Sequence, residues 1–145
     1  MKLLRYRDAG GVHLGAIKDG RVVSLDTLGY PTMRAVIEGG DDALARVRTH
    51  VAAATPGLGL DEVELLAPVE RPNKYLGIGM NYAKHAAEAD KLGVARASHQ
   101  VWFNKQTSCV SGPFDPIDPG VTEKLDYEVE LGVVIGRTAK RGSEE

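Results

Sequence analysis

A single cysteine, Cys109, stands among 145 residues. One thiol excludes an intrachain disulfide framework and a Cys-rich zinc site. No run of about 18 apolar residues occurs, so no membrane span is expected. Arg5, Arg7 and Asp8 fall where a signal peptide would need its apolar stretch. These absences together lead to the expectation of a soluble, cytoplasmic protein. Basic blocks are missing too: 18 Lys+Arg stand against 20 Asp+Glu, for a formal charge of -2. A nucleic-acid partner is therefore not expected. There is no internal repeat and no low-complexity segment. Glycines 10, 11, 15 and 20 fit no phosphate-loop spacing, and Gly77-Ile78-Gly79 lacks the third glycine of a dinucleotide motif. What is present is ordinary globular material, 43% apolar and 26% charged, too apolar for a disordered chain. The 17 glycines exceed the usual ~7% and point to many turns and a β-rich chain. The length fits one domain, or one domain with a small appendage.

The apolar pattern divides the chain. Leu3–Arg7, Val12–Ile17 and Arg21–Leu25 read as strands, broken first by Gly10-Gly11 and then by Asp19-Gly20. Asp-Gly between two such runs is a hairpin signal, because both central residues of a type I′ turn need positive φ. His13 falls inside this meander and reads as structural. Residues 31–39 and 41–54 read as helices, with Pro31 in the first helical turn and Asp41 capping the second helix. Leu44, Val47 and Val51 form the apolar stripe of that second helix, and His50 lies at its boundary. The Pro-punctuated stretch through Pro68 and Pro72 is the expected boundary between a small domain, 1–66, and a second region, 72–145. In the second region Lys74–Gly79 reads as a buried strand. Asn81 reads as a cap and Tyr82–Leu92 as a helix stopped by Gly93. Val101–Phe103 reads as a short strand, with Trp102 and Phe103 in the core and Cys109 packed. Leu125–Ile135 has the clearest strand pattern of all.

Three groups of residues could do chemistry. On a strand Asp126, Glu128 and Glu130 would share one face, where three like charges repel. Either a neighbouring strand supplies Lys or Arg to a solvated face, or the carboxylates hold a hard cation such as Mg²⁺ or Mn²⁺. On a helix His85 and Glu88 stand at i and i+3. They are either an exposed surface pair or a base whose tautomer and basicity a carboxylate sets. Lys105 follows two aromatic residues and is either a solvated strand end or an anchor for an anionic substrate. His99 has no local partner in the sequence.

In this order the segments Tyr75-Leu76-Gly77-Ile78-Gly79-Met80-Asn81-Tyr82-Ala83-Lys84-His85-Ala86-Ala87-Glu88, Phe103-Asn104-Lys105, Ser111-Gly112-Pro113 and Leu125-Asp126-Tyr127-Glu128-Val129-Glu130-Leu131-Gly132 resemble the fumarylacetoacetate hydrolase family. The resemblance covers residues 72–140 well and the first 66 more weakly. It implies an α+β, β-rich chain, with a small N-terminal domain followed by the first part of a fumarylacetoacetase-type mixed β-sheet (β-roll) catalytic domain. It also implies a metal-dependent hydrolase of aromatic-compound catabolism. Such an enzyme cleaves a C–C bond next to a carbonyl in an acylpyruvate-like or ring-fission dicarbonyl substrate, through a metal-stabilised enolate. Keto-acid decarboxylation and isomerisation use the same chemistry. Carried over by motif, Glu128 and Glu130 are ligands for Mg²⁺ (or Mn²⁺, Ca²⁺), His85 and Glu88 are a water-activating dyad, and Lys105 meets substrate negative charge. Gln106 stands where the family usually has proline. The family's third metal carboxylate, an aspartate, has no counterpart before residue 145, so the chain is expected to be the N-terminal piece of a longer enzyme. On its own, such a piece would bind metal weakly or self-associate. A homodimer is the implied assembly.

Overall fold

The computed structural model describes residues 1–94 and 97–142. The described chain falls into two compact units, Met1–Glu70 with Ser111–Glu145, and Arg71–Val110.

The first unit is built on four antiparallel strands, β1 (Lys2–Asp8), β2 (Gly11–Lys18), β3 (Arg21–Ser24) and β4 (Glu64–Leu66), in the spatial order β3-β2-β1-β4. The β2–β3 hairpin turns at Asp19 (φ 52°) and Gly20 (φ 76°), the positive pair that a type I′ turn demands. The period of two sorts the side chains onto two faces. Leu14 and Ala16 of β2 pack with Leu25, Met33, Val36 and Val47 on one face. Leu4, Tyr6 and Val22 form a second cluster, with Ile17, Leu60, Val63 and Leu65 packed against it.

Two helices cover the first face: α1 (Met33–Glu38) and α2 (Gly40–Ala53). The cap of α1 is Thr32, whose hydroxyl accepts from the Ala35 N–H at 3.0 Å, so Pro31 precedes the helix instead of opening it. Gly39, not Asp41, caps α2. The two helices nearly abut, and Gly39 accepts the Ala43 N–H before Asp41 is reached. Asp41 and Asp42 sit in the first turn and His50 in the last, the charge order that suits a helix dipole. The Lys18 ammonium donates to the carbonyls of Ala52 and Ala54, both at 2.8 Å. It thereby satisfies acceptors that the end of α2 leaves free. Val47 is fully buried on the predicted stripe, with Leu44 and Val51 packed beside it. His50 sits at the boundary, its Nε2 2.9 Å from the Ser24 carbonyl.

Residues 111–142 of this unit contain neither helix nor strand. The strand expected over Leu125–Ile135 is therefore not formed. Its alternating apolar residues are present, but a strand exists only as a member of a ladder, and no described strand pairs with it. Tyr127, Val129 and Leu131 are each more than 80% exposed. Arg137 reaches back to Asp41 at 2.7 Å, an exposed pair worth little.

The second unit holds an antiparallel ribbon of β5 (Leu76–Gly79) and β6 (Val101–Asn104), with α3 (Ala83–Lys91) between them in sequence. Neither strand is buried as expected, and Trp102 and Phe103 are 55% and 46% exposed. A two-strand ribbon has no sheet neighbour to close over its sides. Cys109 is also exposed.

No helix among the described residues is long and apolar enough to cross a membrane.

Candidate functional site

β5 ends at Gly79 and the chain reverses at Met80, whose φ of 52° is left-handed, uncommon for a residue with a side chain. Helix α3 starts after Tyr82, which occupies the cap position in extended conformation without a side-chain capping bond. Asn81 is thus one residue too early to be the cap expected of it. The far end closes as the sequence predicts. Gly93 is left-handed at φ 73°, with bonds from Val94 N–H to the Ala89 carbonyl (2.9 Å) and from Gly93 N–H to the Asp90 carbonyl (3.1 Å), a Schellman closure.

His85 is the third residue of α3 and Glu88 follows three later, so the helix carries both on one side. Both are exposed. No hydrogen bond or ion pair joins them among the described residues. The arrangement leaves both imidazole nitrogens open to water or ligand, with a carboxylate one turn away.

Lys105 directly follows β6. Its backbone N–H donates to the Tyr75 carbonyl at 2.8 Å, extending the ribbon by one bond. Its ammonium lies 5.8 Å from the centroids of both the Tyr75 and Phe103 rings, inside the range of cation–π attraction. Phe103 in turn rests over Gly77, where a Cβ would overlap the ring. The lysine is therefore held at the ribbon by its backbone and by two ring faces.

A cavity of about 360 Å³ opens in the same unit, lined by Met80, Asn81, Ala86, Ser98, His99 and Gln100 among others. Four of these six are polar. His99 also meets the Ser98 hydroxyl at 3.2 Å through Nδ1. The polar residues 98–100 carry no spacing signal in the sequence; only the fold turns them toward Asn81.

Glu128 and Glu130 belong to the first unit and are exposed in its strand-free segment. Among the described residues no group of three or more His, Cys, Asp or Glu side chains is placed to hold a metal ion. The two carboxylates are nonetheless the donor type that Mg²⁺, Mn²⁺ and Ca²⁺ select. In chemistry, though not in number, they fit a hard cation.

Antiparallel sheets and three α-helices among the described residues define an α+β fold, and comparison with known proteins places it. The structure matches that of a Mycobacterium smegmatis protein provisionally assigned as HpcE, with a TM-score of 0.61 and 21% identity, over 81% of this chain and 40% of that one. The model of the family described as fumarylacetoacetate (FAA) hydrolase C-terminal matches residues 74–145. A Burkholderia ambifaria protein provisionally named a hydrolase is 44% identical over 142 residues, which is 97% of this chain and 48% of the relative. A mitochondrial oxaloacetate tautomerase of Homo sapiens is 36% identical over 148 residues, 97% of this chain and 46% of the relative. The chain belongs to the fumarylacetoacetate hydrolase family, and it spans about half the length of the relatives it matches.

Proposed function

We propose that this chain carries the water-activating and substrate-anchoring residues of a divalent-metal-dependent hydrolase. The enzyme cleaves a C–C bond next to a carbonyl in an acylpyruvate-like or ring-fission dicarbonyl substrate. The observation that carries the reading is the placement of His85 and Glu88 on one side of α3 in a chain of this family.

His85 takes a proton from water, with the Glu88 carboxylate one turn along the same side of α3. The water oxygen bonds to the carbonyl carbon. The neighbouring C–C bond then breaks, its electron pair leaves as an enolate, and the proton returns to that fragment. Lys105, tethered by Tyr75 and Phe103, pairs with the substrate's negative charge. A divalent cation, Mg²⁺ or alternatively Mn²⁺ or Ca²⁺, held by Glu128 and Glu130 would supply positive charge toward the developing enolate.

The 36% identity with an oxaloacetate tautomerase favours a second reading, in which the same base moves a proton between carbon and oxygen of a keto acid with no bond cleaved. One pair of assays on the full-length gene product separates the two. The first reading expects loss of acylpyruvate absorbance with release of two acids, abolished by chelator and restored by Mg²⁺. Chelator-sensitive equilibration of enol-oxaloacetate without acylpyruvate cleavage would replace it with the second. Absence of both activities would overturn both.

A further inference from the structure

The first unit holds a cluster of titratable groups that the proposed reaction leaves unused. His13 on β2 lies opposite Tyr6 on β1, and the two rings sit 5.3 Å apart, centroid to centroid. The His13 side chain is only 21% exposed. Its Nδ1 is 2.7 Å from Asp26 Oδ2 and its Nε2 is 3.2 Å from Asp8 Oδ1. A neutral imidazole has one N–H and one lone pair. It can satisfy one carboxylate, but it would turn a lone pair toward the other. Only the Asp26 contact has hydrogen-bond geometry, but a carboxylate charge beside each nitrogen favours the doubly protonated ring. The three residues also come from three elements, since Asp8 ends β1, His13 lies in β2 and Asp26 opens the 3-10 turn Asp26–Leu28 after β3. Both carboxylate residues are fixed locally. Asp8 accepts the Gly10 N–H at 2.7 Å, and the Asp26 N–H donates to the Ser24 hydroxyl at 3.1 Å.

We propose that His13 is an imidazolium cross-brace between Asp8 and Asp26, tying the tip of the β1–β2 hairpin to the turn after β3 and loosening that end of the sheet as pH rises. The titratable groups that face the ring are Asp8 and Tyr6 from β1 and Asp26 from the 3-10 turn. The hydrogen bond to the Asp26 carboxylate raises the His13 pKa above 6.5; partial burial opposes it, and the charges of Asp26 and Asp8 add to it. Tyr6 stays neutral across this window, because burial first, and then the charges of Asp26 and Asp8, raise its phenol above 10.0 against a lowering bond from Ser24. A raised folded-state value means that the brace contributes fully below the ordinary imidazole range. Its contribution is lost as pH climbs through the folded-state value.

Two measurements on the full chain test this. In proton NMR the His13 ring should titrate above about 6.5, and Asp26→Asn should move its midpoint down. The urea midpoint should fall between about pH 6 and pH 9, and fall less in Asp26→Asn. If that variant does not fold, Asp8→Asn provides the same comparison, and the wild-type titration decides alone. A His13 midpoint at or below the ordinary value, or an unchanged pH slope in a folded variant, would overturn the proposal.

Discussion

Glu70 joins three parts of the first unit. Its carboxylate accepts the backbone N–H groups of Met33 (2.9 Å) and Arg34 (3.3 Å) at the start of α1. It also pairs with Arg5 Nε of β1 at 2.9 Å. Burial pushes its pKa up, but the N–H groups of Met33, Glu70 itself and Arg34, with the Arg5 charge, outweigh burial and hold it below 4.5. A depressed folded-state value gives stability that is present above the unfolded pKa and lost as pH falls through the folded one. Glu70→Ala is expected to cost about 1–2 kcal/mol at neutral pH, as loss of a helix cap does, and to flatten the acid limb of the stability profile. Urea unfolding at several pH values checks both. None of this was legible in the sequence, where Glu70 is simply a residue between two prolines. A distant carboxylate finds a helix start only after the chain has folded. At closer range the sequence spoke clearly. Asp19-Gly20 announced its turn through φ alone, and Val47 announced its burial through spacing. Leu25 ends a readable apolar run and is 1% exposed. Leu25→Ala should cost about 2–5 kcal/mol, read from the same unfolding curves.

Among the elements, the β5–β6 ribbon depends on one small residue. Gly77 pairs with Phe103 across the ribbon, and the ring occupies the space that a Cβ would need. Gly77→Val should displace Phe103 and with it one of the two rings that flank Lys105. Amide protection across β5 and β6 should drop, and Phe103→Ala in the same chain should restore it. Unchanged protection in Gly77→Val would mean that the ring moves freely. The helices show where pattern reading ends. Their bodies were legible from apolar spacing, yet every N-terminus was off by one or two residues. The caps rest on Thr32, where Pro31 was expected to open the helix, on Gly39 in place of Asp41, and on Tyr82 in place of Asn81. For α2 the deciding factor is how closely it follows α1, since Gly39 ends one helix and caps the next; for α1 it is the Thr32 hydroxyl, which accepts the Ala35 N–H. His85 and Glu88 kept their shared side because i, i+3 spacing is a property of the helix itself.

For the whole molecule, a readable strand pattern did not become a strand. Leu125–Ile135 alternates clearly, yet strand formation is a statement about partners as much as about sequence, and no described strand meets it. Val129 and Tyr127 stand 88% and 85% exposed. Apolar surface of that extent drives association. The 145-residue chain should therefore elute from a sizing column as species larger than its 15.6 kDa monomer, and Val129→Asp with Val133→Asp should shift it toward monomer. A monodisperse wild-type monomer would contradict that expectation. Family membership was legible because its motifs are local runs, whereas the cavity beside Asn81 was not, because its walls form only when the segment after α3 folds back beside the end of β5. The chemistry proposed for α3 is tested most directly by the kinetics of His85→Ala in the full-length gene product on an acylpyruvate substrate with Mg²⁺ present. The expected result is a kcat lowered by ~10²–10⁴ with KM little changed, the loss typical of a general base. A kcat near that of the wild type would contradict a general-base role and leave His85 as a surface residue.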